Sequence, residues 1–187
     1  MRQQGLVLVL ALLVLMSLTI LGVSAVSSSL MQNKMAVSME KQLVAFDAAE
    51  AAIAGVVFEA EDPVVLNDAA LVDPISEARQ GNQIDLANQE LSCFDGLNWT
   101  NRQLTSTGLA TGTVHQAVGH YTDQPATDSW SRTAYVGQEA CLGSSNVIGG
   151  SNISCHVFLV KGCGRVDGQS FAIANTLKAA VFAPSEQ

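Results

Sequence analysis

Aromatic residues are scarce in this chain of 187 residues: six Phe, two Trp and two Tyr make up 5% of it. A globular part with so few rings must pack mainly on Val, Ile, Leu and Ala, so a modest core is expected. Positive charge is short as well. Nine Lys and Arg stand against 17 Asp and Glu, giving a net charge of −8 and a pI near 4.6. That leaves no positive field for a phosphate backbone or an anionic lipid surface, and direct nucleic-acid binding is not expected. The acidic residues are dispersed, which is the pattern of a solvated outer surface. Catalytic signatures are also missing. There is no Walker loop and no H-E-x-x-H, and Gly149-Gly150-Ser151-Asn152-Ile153 lacks the final Gly of a nucleophile elbow. His115 and His120 lie five apart in a loop-like region and suit an exposed role better than metal ligation. No catalytic residue, metal or cofactor is expected, and the chain is not read as an enzyme. With no repeat and no long linker, one domain with an extension is the expectation at this length.

Against these shortages stands one long apolar run. Leu6 to Val26 carries no charge, and as a helix at 1.5 Å per residue it spans roughly the 30 Å of a bilayer core. Arg2 is the only charge before it, and together with the amino terminus it would hold that end in the cytoplasm and leave Ser27 onward outside. A secretory signal peptide cut after Ala25 competes, because Val23-Ser24-Ala25 satisfies the small-residue rule, although the run exceeds the usual h-region of about 7–15 residues. The helical pattern also continues past the membrane. Met31, Met35, Met39, Leu43, Phe46, Ala49, Ile53 and Val57 recur at spacings of three and four, with Lys34, Glu40, Lys41, Asp47, Glu50 and Glu59 on the other face. Pro63 after Asp62 is a stop signal. An apolar stripe outside lipid must bury itself on the chain's own domain or on neighbouring helices. Gly22, with Ser24, Ser27, Ser28 and Ser29, either weakens the helix near the outer interface or lets helices pack closely in lipid.

The stretch from Arg2 to Ile53 contains a short basic leader, Gly5, a hydrophobic helix and Ala45-Phe46-Asp47-Ala48-Ala49-Glu50-Ala51-Ala52. It resembles the amino-terminal segment of PilX-type minor pilins of type IV pili, which carry an "A-F-x-A-A-E-A-A" stretch in that place. The resemblance covers roughly residues 2 to 60. It implies that a prepilin peptidase cuts between Gly5 and Leu6 and that the new Leu6 amine is methylated. Gly5 suits such a cut because a residue without Cβ lets the backbone enter a tight protease site. It further implies that the hydrophobic helix is kept, as inner-membrane anchor before assembly and filament core afterwards. The implied partners are other minor and major pilins, met through the amino-terminal helix, and a tip adhesin. Most pilins carry Glu at the fifth mature position, and the corresponding residue here is Leu10. A carboxylate in lipid costs a few kcal/mol unless paired, and its absence removes a docking contact. Tip-located pseudopilins of type II secretion lack this Glu too. Leu10 therefore suggests either a place in the tip complex or family variation without positional meaning.

Beyond Pro63, residues 63 to 92 suggest a connector with a short helix around Ile75 to Gln80 or Ile84 to Leu91, and residues 105 to 129 suggest loops with weak strands. Strands are expected at Thr133 to Leu142, Ser154 to Val166 and Phe171 to Phe182. Phe171, Ile173, Leu177, Ala179 and Val181 share a face by period two, and Arg165 to Gln169 supplies a turn. The expected fold is α+β and pilin-like: a long amino-terminal helix packed on a carboxy-terminal antiparallel sheet. Its parts are a leader at 1–5, a transmembrane helix at 6–26, an amphipathic continuation at 27–62 and an extracytoplasmic globular domain at 63–187.

Cys93, Cys141, Cys155 and Cys163 fall in the exported part, so two disulfides are expected. Zinc ligation by Cys155, His156 and Cys163 is the weaker alternative, since no C-x-x-C pair exists. On one continuous strand Cys155 and Cys163 would lie about 8 × 3.3 Å apart, beyond the ~7 Å reach of a bridge. Cys141 with Cys155 and Cys93 with Cys163 is preferred over the crossed pairing, because Cys141 and Cys155 flank one loop. That places a possible recognition surface on residues 143 to 154, with loop closure for stability as the plainer reading. Asn98-Trp99-Thr100 and Asn152-Ile153-Ser154 match glycosylation sequons that arise readily by chance. The leading function is a minor pilin that primes type IV pilus assembly and so supports twitching motility and adhesion. A type II secretion pseudopilin of the tip complex and a membrane-anchored periplasmic binding module are the alternatives.

Overall fold

The computed structural model describes residues 4–81, 83–87, 89, 91–96, 99–104, 126–139, 141 and 153–184. Helix α1 runs from Gln4 to Glu61, 58 residues, and the chain forms two compact units that divide within it, Met1–Lys41 and Gln42–Gln187. In the first unit the apolar side chains from Leu6 to Met39 are exposed. Leu6 opens the one helix among the described residues that is long and apolar enough to cross a membrane. Two of its hydroxyls return to the helix backbone: Ser17 donates to the Val14 carbonyl and Thr19 to that of Met16, each at 2.8 Å. Lipid offers no partners for such groups, so this return bonding suits a hydrocarbon setting.

In the second unit α1 stops at Glu61 and two short helices follow, α2 (Pro63–Asn67) and α3 (Pro74–Gln80). Both start on an Asp-Pro pair. The Asp62 carboxylate accepts from Val64 N at 2.9 Å, and that of Asp73 accepts from Ile75 N and Ser76 N at 3.0 Å. Proline at the first helical position loses no bond, because that N–H would be unpaired anyway. Pro63 therefore ends one helix and starts another. Of the two positions expected for a short helix, only the first forms one, since Ile84 lies in extended chain whose N–H bonds the Tyr135 carbonyl at 2.9 Å.

Four strands follow: β1 (Thr100–Gln103), β2 (Thr127–Glu139), β3 (Ile153–Val166) and β4 (Ile173–Pro184). They form one antiparallel sheet in the order β1-β2-β3-β4. The strand expected from Thr133 begins six residues earlier, at Thr127. Asp167 and Gly168 make the turn into β4, Gly168 with a positive φ of 77° that suits a residue without Cβ. The β2–β3 register shifts between Tyr135 and Gly137, a bulge at which Gly137 also adopts positive φ. Directly opposite residues share a face, so the register sorts the sheet into two sides. Ser129, Ser131 and Thr133 stand with Gly164, Gly162 and Val160, and with Ile173, Asn175 and Leu177. Trp130, Arg132 and Ala134 stand with Cys163, Lys161 and Leu159 on the other.

The first side receives the second half of α1, with a core cluster of Ile53, Val56 and Val160 joined by Ile75. The second side is covered by the segment before β1, through a cluster of Ile84, Trp99, Ala134 and Leu159 with Leu91 and Val136 packed against it. As expected from composition the core is mostly aliphatic, with Phe158 and Trp99 as its buried rings.

Candidate assembly surface and the site it rests on

The helical residues that meet the sheet are not the large ones. Ala45, Ala48, Ala49, Ala52 and Val56 are at most 3% exposed, whereas Leu43, Phe46 and Val57 are 65%, 43% and 42% exposed. This corrects the stripe expected from hydrophobic spacing, of which Ala49 and Ile53 alone are buried in the described chain. The cause lies in the sheet. A Cβ added at Gly162 would overlap the Ala49 carbonyl oxygen and the Ile53 side chain, and one added at Gly164 would overlap the Ala45 carbonyl. Ser129 also reaches up, its hydroxyl donating to the Ala48 carbonyl at 2.5 Å. The two surfaces approach nearly backbone to backbone at Gly162 and Gly164, where Ala45 and Ala49 fit, while Ile53 and Val56 pack on Val160.

Leu43, Phe46 and Val57 therefore face elsewhere. Phe46, Glu50, Ile53 and Val57 follow at spacings of four, three and four and share one edge of the helix. Glu50 accepts a hydrogen bond from the Asn175 side-chain amide on β4, which sets this edge on the β4 side. On β4 the row Ile173, Asn175, Leu177, Ala179 and Val181 shares a face by register, but Leu177 and Val181 remain 38% and 40% exposed. The expected packed face of this strand is thus only half covered. Phe46 and Val57 on the helix and Leu177 and Val181 on β4, the edge strand among the described residues, thus leave exposed apolar surface on either side of the Glu50–Asn175 bond.

The end of α1 is tied down by charge. Arg102 of β1, 5% exposed, donates from Nε to Glu59 at 3.2 Å and from Nη2 to Glu77 of α3 at 2.6 Å and to the Val72 carbonyl at 3.0 Å. A guanidinium suits such a spot, since its planar fork bonds several acceptors at once. On the opposite side Arg132 donates to the Ser92 and Asp95 carbonyls at 2.6 and 3.0 Å and lies 4.9 Å from the centre of the Trp99 ring. Asp95 pairs with Arg132 at 3.0 Å and accepts from the Trp99 indole at 2.8 Å. Lys161 donates to the Leu91 carbonyl. Burial lowers the affinity of both basic groups for their protons. Asp95 opposes this at each, and the Arg132 charge adds to it at Lys161.

The disulfides join Cys93 to Cys163 and Cys141 to Cys155, with Cα separations of 6.0 and 5.1 Å. Cys155 and Cys163 both lie on β3, as the spacing argument assumed. The first bridge staples the covering segment to the sheet, and no group of three or more metal-binding side chains occurs among the described residues. His156, weighed above as a zinc ligand, is buried beside the Tyr135 ring. Gly5, Leu6 and Leu10 all lie within α1, Leu6 and Leu10 72% and 60% exposed. Arg2, His115, His120, Asn98, Asn152 and most of the loop at 143–154 lie outside the described residues. Burial of Arg102, Arg132 and Lys161 was not anticipated from sequence; their positions on alternating strands look like ordinary solvent-side sites.

Residues 4–54 match the family model described as PilX N-terminal. Over those residues the chain is similar to the PilX N-terminal family. The match supports a resemblance of this segment to PilX-type minor pilins, and the apolar helix fits the membrane anchor of a pilin. The α+β arrangement, a long amino-terminal helix followed by a four-stranded antiparallel sheet, is pilin-like. Neither the curated proteins nor the solved structures contain a match to the chain. For the PilX-type segment, the geometry gives the "A-F-x-A-A-E-A-A" stretch a physical sense. Its alanines at 45, 48, 49 and 52 seat the helix on Gly162 and Gly164, Glu50 ties it to β4, and Phe46 is left on the outer edge.

Proposed function

We propose that this protein is a minor pilin that takes part in priming type IV pilus assembly from the tip complex, and so supports twitching motility and adhesion. The observation that carries this reading is the exposed apolar surface. A helix whose large apolar residues from Leu6 to Leu43 are exposed, with exposed apolar residues following on β4, needs a partner's helix or sheet to remove that surface from water. Before assembly, lipid covers residues 6–26 with the globular part in the periplasm; after assembly, neighbouring pilins do. The prepilin peptidase cut between Gly5 and Leu6, methylation of the Leu6 amine and Leu10 in the place of the docking Glu belong to the same reading. Leu10 equally suits a pseudopilin of the type II secretion tip, which is the second reading.

Mass spectrometry of the mature amino terminus is the first test. A start at N-methylated Leu6 is expected; an intact Met1 or a start at Val26 overturns the pilin reading. Immunogold label confined to pilus ends is expected from the tip placement, and label along the shaft defeats it. Phe46→Asp should abolish piliation while changing folding stability by no more than about 0.5 kcal/mol, because the site is exposed. Normal piliation in that variant would remove the exposed surface from the argument.

A further inference from the structure

Away from that exposed surface, on the other side of the sheet, a groove of about 520 Å³ lies among Phe94, Gln103, Asp128, Trp130 and Arg165. Its volume falls in the range of about 300–1,000 Å³ typical of small-ligand sites. The floor is aromatic. The Phe94 ring lies 5.6 Å from that of Trp130, tilted by 49°, and Phe94 is 58% exposed. Leaving a Phe in water forgoes on the order of 1.5–3 kcal/mol of burial. Here the exposure is built in rather than incidental. Phe94 follows Cys93 of the disulfide to Cys163, its N–H bonds the Ser92 hydroxyl at 3.2 Å, and Ser92 N bonds the Asp95 carboxylate at 2.8 Å. The ring is held on a closed turn beside a strand, the kind of support that fixes a recognition group.

The wall of the groove is polar, and its charges are paired: Arg102, which also lines it, is held by Glu59 and Glu77. Asp128 and Arg165 face each other across β2 and β3. Arg165 donates to Asp128 Oδ2 from Nε at 3.1 Å and also from Nη2, and its guanidinium lies 5.9 Å from the centre of the Trp130 ring. Both bonds fall on Oδ2, so Oδ1 can accept and Nη1 can donate to a ligand. A pair that already neutralises itself offers a charged ligand little, but it suits a group that donates and accepts at neighbouring atoms. Adjacent hydroxyls on a sugar ring do this, and the C–H face of the same ring suits an aromatic floor.

We propose that this groove binds a neutral pyranose oligosaccharide, with Phe94 and Trp130 stacking on a sugar ring and the Asp128–Arg165 pair bonding a vicinal diol. The site does not depend on how the helix assembles, so it stands whether the subunit belongs to a pilus tip, a shaft or a secretion machine.

The test uses the full chain in lipid nanodiscs, free of sugar-based detergent, titrated with gluco-, galacto- and manno-configured tetrasaccharides by calorimetry and by tryptophan fluorescence. At least one neutral sugar is expected to bind and to perturb the fluorescence. Phe94→Ala and Asp128→Asn should each weaken that sugar about tenfold or more, and Phe94→Tyr should restore most of the binding. Near-UV circular dichroism and a non-reducing peptide map establish that each variant keeps its fold and both disulfides. Absence of binding by every sugar at about 10 mM, affinity unchanged in Phe94→Ala, or preference for an acidic oligosaccharide or an extended peptide overturns the proposal.

Discussion

On one side of β3, Gly162 and Gly164 let the backbone of α1 come down at Ala45 and Ala49 until helix and strand nearly touch. On the other, Cys163 and Lys161 reach out to hold a segment with little regular structure, through a disulfide and a hydrogen bond to a carbonyl. Residues next to one another in the chain thus serve opposite methods of closing a sheet. The helix side gains from having almost nothing between its partners, so dispersion contacts are many and the polar groups facing α1 on β2, Ser129, Ser131 and Thr133, are small. The loop side gains from long groups that find the carbonyls of residues 91, 92 and 95. A helix can satisfy its own backbone and needs only a shape to fit. A loop cannot, and has to be given partners.

Three changes should separate the two methods. The largest effect is expected from Cys93→Ala with Cys163→Ala, which removes a bridge across 70 residues. The chain-entropy model gives a loss of about 4 kcal/mol. Hydrogen exchange should show residues 83–99 opening while residues 45–56 stay protected; if the helix opens first, the two sides are not independent. Gly162→Ala comes next, since its Cβ would overlap the Ala49 carbonyl and force the helix off the strand at about 3 kcal/mol. The exchange pattern should reverse, with protection lost at 45–56. An unshifted melting temperature would mean that the helix seat is looser than described.

The smallest effect is expected at Lys161. Its pKa in the folded chain lies below the ordinary 10.5, first through burial and then through the Arg132 charge, with Asp95 opposing. Between the lowered value and 10.5 the unfolded chain holds more protons, so stability should rise with pH across that window. Lys161→Met should flatten the rise and change stability at neutral pH by no more than about 1 kcal/mol. Denaturant titrations from about pH 8 to 10 measure the slope; an equal rise in the variant would assign it to another group.

The same contrast explains what could be read from the sequence. The long helix, its end at Glu61 and the order of the last strands follow from periodicity and from Pro63, because these depend on spacing along one segment. The helix face did not follow. Spacing rules favour large side chains, and Met39, Leu43 and Phe46 outweigh Ala45, Ala48 and Ala49 unless one knows that the facing strand presents Gly162 and Gly164. The family likeness carried the right residues in its alanine stretch without the reason for them. Arg132 and Lys161 were illegible because their partners are backbone carbonyls, which no side-chain pattern records. The Asp-Pro pairs that start α2 and α3 are legible in the sequence, where Pro63 is a start as well as a stop. The Phe94 groove needed the fold itself, since β1, β2, β3 and the stapled turn each contribute a residue to it.

Alternation along Val160-Lys161-Gly162-Cys163-Gly164 leaves the lineage of this protein little freedom in one respect. Gain or loss of a single residue there would turn Cys163 toward the alanines of α1 and a glycine toward Cys93, breaking the helix seat and the staple together. Substitutions at these positions can be tested one at a time by selection, but an indel cannot. Natural length variation should therefore spare this stretch of β3, and an engineered insertion for labelling the protein should avoid it.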